Sequence, residues 1–175
     1  IAGVILQSVF ANPIVDPSLV GISGSAGLGA MVGGLFGVSI FLNLSFAVLS
    51  ALIAMLWLSR RHALPLKLLL TGLAAGAFTQ AELSTLASVP GLNQGRSLTA
   101  WVFGSLATAT NEELPWLLTA LIVAVALLVG QSLALDILSA GDTAARSLGV
   151  NVKSLRRRGL AAAALLVAPA VTFYG

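Results

Sequence analysis

Cysteine is absent from all 175 residues, so no disulfide, thiolate nucleophile or cysteine-ligated metal can be built from this chain. Charge is nearly as scarce, at 9% of residues against about 25% in a soluble globular domain. With 58% apolar residues and a mean hydropathy of +1.01, that deficit excludes an ordinary soluble domain. It also excludes a disordered chain, which needs low hydrophobicity, even though 18 glycines and six prolines are present. With one histidine and no facing carboxylate pair, there is nothing from which to assemble a metal site or a proton relay. No Gly-x-x-x-x-Gly-Lys-[Ser/Thr] loop occurs, so any ATP must bind to another chain and no cofactor is expected on this one. What remains is an all-α, polytopic transmembrane helical bundle.

The few charges mark out its spans. Between Asp16 and Arg60 lie 43 uncharged residues, enough for two helices of about 20 residues and a turn. Spans are expected at about 19–37 and 43–59, then 67–90 and 114–135, with partial ones at 1–11 and 156–175. The run 114–135 holds eight Leu, one Ile and three Val without a charge. That composition favours insertion by about 4–7 kcal/mol. Pro115 suits a first helical turn, where its missing N–H costs nothing. Both chain ends fall inside apolar helices, so the sequence reads as a central piece of a larger membrane protein, one domain cut at both ends.

The net charge of +3 comes from scattered basic residues rather than a stripe, so no nucleic-acid partner is expected. The residues act instead as topology determinants. Loops at about 12–18, 60–67 and 136–158 hold eight of the nine, namely Arg60, Arg61, Lys67, Arg146, Lys153, Arg156, Arg157 and Arg158. The positive-inside rule puts these loops in the cytoplasm and those at 38–42 and 90–113 outside. Attraction to anionic membrane lipid is expected to hold Arg156 to Arg158 at the cytoplasmic surface.

Small residues recur every fourth position at Gly21, Ser25, Gly29, Gly33 and Gly37, and again at Gly72 and Gly76. Such stripes let helix backbones approach closely in lipid, and the first is assigned to helix packing. Polar residues inside spans are few: Gln7, Asn43, Thr79, Gln80, Glu82 and Gln131. Glu82 falls late in its span and reads as reaching the external interface, while His62 reads as a solvated loop residue. The segment 139–150 carries Ser139 and Asp142 as a helix start and Gly149 as its stop, predicting a short cytoplasmic helix of about two turns. A helix that short is marginal in water and must dock on something.

Three blocks of sequence resemble the FecCD permease family. They are Ala2-Gly3-Val4-Ile5-Leu6-Gln7 followed by Asn12-Pro13-Ile14-Val15-Asp16-Pro17 and Leu19 to Ala26; Trp101 with Gly104-Ser105-Leu106; and Gly141-Asp142, Ala145-Arg146 and Leu148-Gly149-Val150. The chain departs from the family pattern at Ala11, where a basic residue is usual, at Ile14-Val15 in place of Leu-Ala, and at Thr143, often acidic. The resemblance implies a permease subunit of a binding-protein-dependent ABC importer, a transport subunit rather than an enzyme, with the type II fold, in a prokaryotic inner membrane. It implies a second permease subunit, homo- or heterodimeric, two cytosolic ATPase subunits that bind ATP, and an external substrate-binding protein. A ferric siderophore is the expected cargo, with haem or cobalamin as alternatives. By resemblance, Gly141, Asp142, Ala145, Arg146, Leu148 and Gly149 couple the chain to the ATPase. Gly72, Gly76, Thr79 and Gln80 are candidate path-lining residues, and Arg96 a candidate contact for the binding protein. A secondary transporter driven by an ion gradient is the rival from another class; it predicts paired ionisable groups at the bilayer midplane, which this stretch lacks. A scaffolding bundle predicts no docking helix between spans.

Overall fold

The computed structural model describes residues 1–37, 39–61, 65–87, 104–106 and 109–174. Among them are eight helices and no strand: α1 (Ala2–Phe10), α2 (Ile22–Leu35), α3 (Ile40–Arg61), α4 (Pro65–Ala87), α5 (Leu114–Leu128), α6 (Ser132–Ser139), α7 (Asp142–Ser147) and α8 (Val152–Tyr174). The last of these organises the rest, packing against α1, α2, α3 and α5. Its side facing the bundle is built from Ala162, Ala163, Ala164 and Ala168, all without exposed surface. Methyl-sized side chains let four neighbours reach one helix. Pro169 is buried in the same helix and withholds one backbone N–H from its ladder.

Large apolar side chains lie mostly outside. Phe41, Phe46, Leu49, Ile53 and Trp57 of α3 are exposed, as are Leu118, Ile122, Val123 and Val125 of α5. Small residues inside and large apolar ones outside is the reverse of a water-soluble core, and it is how helices pack in lipid.

The turn from α1 into α2 is made by the Asn-Pro and Asp-Pro pairs. Ala11 closes α1 in the left-handed region, at φ 48°, and the Asn12 N–H reaches back to the Gln7 carbonyl at 3.1 Å. The Asn12 side chain then accepts from the Ile14 N–H at 3.0 Å. One carboxylate oxygen of Asp16 accepts from the Ser18 hydroxyl at 2.6 Å and from the N–H groups of Ser18 and Leu19 at 2.7 and 3.0 Å. These bonds, the Ser18 hydroxyl foremost, hold the Asp16 pKa below its ordinary 3.8 against the opposing cost of burial.

Glycines allow two close crossings. A Cβ on Gly29 would lie 2.8 Å from the Ala47 Cα of α3, and one on Gly33 would lie 2.6 Å from the Asn43 side-chain oxygen. Beside them the Ser50 hydroxyl of α3 donates to the Ser25 carbonyl of α2 at 2.6 Å, tying the pair by a bond across helices. At the second crossing Gly21, at φ +79°, lies against α4, where a Cβ on Gly72 would fall 2.6 Å from the Val20 carbonyl oxygen.

Several bounds differ from expectation. The stretch 19–37 yields a helix of only 14 residues, because the Asp16 turn runs on to Gly21 and the helix stops at Leu35. Gly37 therefore lies outside the helix at φ +58°, with nothing near its Cβ position, and does not extend the packing stripe. The run 114–135 is not one helix: it breaks at Val129 to Gln131, and α5 and α6 meet at a 75° bend. Ser139 ends α6 rather than starting the next helix, and the final helix begins at Val152, four residues ahead of the expected 156.

Among the described residues no single helix is long and apolar enough to cross a membrane unaided, and α5 with α6 meets that measure only as a bent pair. In α8 the cause is visible, since its first two turns carry Lys153 and Arg156 to Arg158.

The helices have two distinct ends. One gathers the end of α1, α6, α7 and the start of α8, and the turn after Asp16 runs from it to Gly72 and Gly76 of α4. At the other, the rings of Phe41 and Trp116 meet at 5.5 Å between centroids, and the Ser105 N–H donates to the Tyr174 carbonyl at 2.8 Å.

Candidate functional site

The segment singled out by sequence, 139–150, folds as a six-residue helix between two glycines of positive φ. Gly141 precedes α7 at φ 113°, and Gly149 follows it at φ 79°. Its end is closed by backbone bonds: the Gly149 N–H donates to the Arg146 carbonyl at 3.0 Å and the Val150 N–H to the Ala145 carbonyl at 2.9 Å. The next helix starts one residue later, where the Asn151 side chain accepts from the Ser154 N–H at 3.1 Å, a side-chain N-cap.

The two sides of α7 differ. Ala145 is fully buried in a small apolar cluster with Leu138, Val152 and Leu155, joined by Ile137 and Val150. Thr143, Arg146, Ser147, Leu148 and Gly149 point away and are exposed, with Leu148 showing 67% of its surface. The charges also suit the helix, with Asp142 in its first turn and Arg146 in its last. Their own contact, 3.4 Å on the exposed side, is worth only about 0.3–0.5 kcal/mol.

The contact that anchors α7 is a different one. The Arg156 guanidinium, with only 8% of its side chain exposed, donates to the second Asp142 carboxylate oxygen at 2.6 Å. Its Nε also points at the Val9 carbonyl at 3.5 Å, in the last turn of α1. That carbonyl belongs to the end of a helix, where intrahelical partners run out and the dipole favours a cation. Three elements thus meet on one side chain. Losing Asp142 leaves the buried Arg156 charge short of its partner, whereas Asp142 itself stays 24% exposed and keeps its contact to Arg146.

Arg156 was expected at the cytoplasmic surface with Arg157 and Arg158, and only those two are exposed. The helix begins at Val152, so Arg156 shares its buried side with Val152, Leu155, Gly159 and Leu160. That spacing was the available signal, since hydropathy counts three successive arginines alike. Ser50 was missed for want of any signal beyond a hydroxyl in an apolar helix.

The structure brings the six coupling candidates into one segment and divides them. Gly141, Asp142 and Ala145 hold the helix; Arg146, Leu148 and Gly149 face away from the bundle. Gly72 and Gly76 both lie against residues 18–21, so what they touch here is a neighbouring turn. Thr79 and Gln80 fall on α4, with side chains outside the described residues. Arg96 and His62 are outside them altogether, and Glu82 is half-buried near the end of α4.

Among the described residues the bundle is all-α with small residues inside, and a short helix stands between α6 and α8 with one side turned outward. The chain belongs to the FecCD transport family, which matches residues 1–175. It is 31% identical over 156 residues to the vitamin B12 import system permease protein BtuC of Salmonella arizonae, covering 86% of this chain and 47% of that one. It is also 31% identical over 184 residues to the cobalamin import system permease protein BtuC of Halobacterium salinarum, covering 100% of this chain and 49% of that one. The chain therefore spans about half the length of the curated relatives it matches. Among solved structures, one in an inward-facing conformation, from a transporter assigned to the metal-chelate ABC type, is similar with a TM-score of 0.84 and 26% identity, over 99% of this chain and 57% of that one.

Proposed function

We propose that the chain is part of a permease subunit of an ATP-driven importer that carries a metal chelate across the inner membrane. The carrying observation is α7, a helix too short to stand alone. Its inner side is fastened to α6 and α8, with Arg156 of α8 linking it onward to α1, and its outer side offers Arg146 and Leu148 to a partner. A motor protein gripping that side would move the bundle through a rigid joint. The motor is a pair of cytosolic ATPase subunits, the mate within the membrane a second permease subunit, and the deliverer of cargo an external binding protein.

Cargo is a finer matter. The resemblance read from sequence favours a ferric siderophore, and the names of the relatives favour a corrinoid. Both are large organic chelates of one metal ion, and that shared chemistry is the reading adopted. The test is ATP hydrolysis by the full complex in lipid with its binding protein, titrated with ferric siderophores and with cobalamin. Stimulation by one of them names the cargo; transport that survives on an ion gradient after depletion of the ATPase overturns the reading.

A further inference from the structure

We infer that Arg156 is a positioning residue for energy coupling. By holding the first residue of α7 against the last turn of α1 and the second turn of α8, its guanidinium makes a push on α7 act on both helices at once. The inference rests on the coupling role proposed above and goes beyond it, to the part that transmits the push.

Two observations carry it. First, α7 joins the chain at both ends through a glycine of positive φ that no packed side chain braces: a Cβ built on Gly141 or on Gly149 meets nothing within 4 Å. The apolar seat beneath it takes one buried methyl group, that of Ala145. Such a seat resists being pulled off but only weakly resists turning. Second, the Asp142–Arg156 contact is directional and part-buried, and the same guanidinium extends to the Val9 carbonyl. Val9 is itself set against α8, where its side chain meets the face of Gly159. The load path is thus α7 to Asp142, to Arg156, to α1 and α8. A guanidinium fork reaches acceptors on two elements with one rigid group, whereas the lysine ammonium is a single point on a flexible stem.

The test uses the full-length permease assembled with its ATPase and binding protein in nanodiscs. Arg156→Lys and Asp142→Asn are compared with the parent, with Arg158→Ala as the exposed control. Three quantities are read: cargo moved per ATP hydrolysed, ATP hydrolysis itself, and amide hydrogen exchange across 141–149. The expected result is assembled complexes that hydrolyse ATP as the parent does, but move about 2- to 30-fold less cargo per ATP. Exchange should rise in 141–149 and stay unchanged in the middle of α8. Arg158→Ala keeps the parent ratio. An unchanged ratio in both variants overturns the inference, as does a parallel loss of assembly, hydrolysis and transport, which is the mark of a merely structural residue. A parent complex showing no ATP-driven transport sinks the coupling reading itself, a failure visible before any variant is made.

Discussion

At the scale of single residues, the clearest consequences come from Gly29 and Asp16. Gly29→Ala forces a methyl group into the Ala47 backbone of α3, and overpacking of this kind costs about 1–3 kcal/mol. Thermal unfolding in detergent should show the drop, while Gly3→Ala, where nothing lies within 4 Å, should change little. Asp16→Ala removes the acceptor that holds the turn before α2, and a loss of about 0.5–2 kcal/mol is expected, as for a helix cap. The pH dependence has a definite sign. Because the folded pKa of Asp16 lies below 3.8, its contribution is fully present above that value. It is lost as pH falls through the lowered folded value. Unfolding curves of the parent and of Asp16→Ala should therefore stay apart at pH 5 to 7, by about the figure above, and converge only in stronger acid. The stripe of small residues was legible in the sequence as far as Gly33, because four-residue spacing reports a face. It misled at Gly37, because spacing carries no information about where a helix stops, and Phe36 and Gly37 offer no polar cap to mark the end.

At the scale of elements, the bend between α5 and α6 and the joints of α7 were the least legible parts. No charge interrupts the largely apolar run from Leu114 to Leu135, so hydropathy reads one span. The pair Gly130-Gln131 is the sole local sign of a turn, and Gly130 does adopt φ +72°. The short helix at 142–147, by contrast, was foreseen from its flanking signals at close to its observed length, though its start was placed at Ser139, which closes the preceding helix instead. These joints predict separable effects. Gly141 lies at φ 113° and ψ 158°, a region open essentially to glycine alone, so Gly141→Ala should cost about 1–3 kcal/mol of local stability. Hydrogen exchange should locate that loss in α7. Gly130→Ala faces only the left-handed penalty of about 1–2 kcal/mol, and its loss should appear at the α5–α6 bend.

At the scale of the whole molecule, the distribution of charge predicts which loops face the cytoplasm, and labelling tests that assignment. The measurement that checks orientation is simple because the chain has no cysteine of its own. With single cysteines at exposed positions, an impermeant maleimide should label Leu106→Cys in intact cells and Ser147→Cys only after the inner face is opened. The reverse pattern would invert the molecule and strip α7 of its motor. What composition could not convey was the hierarchy among helices, since the alanines of α8 look unremarkable in a hydropathy plot yet form the hub. That hub has a genetic consequence. Because α8 packs against α1, α2, α3 and α5, second-site revertants of bulky substitutions along its buried alanines should arise in all four helices, rather than clustering near the original lesion.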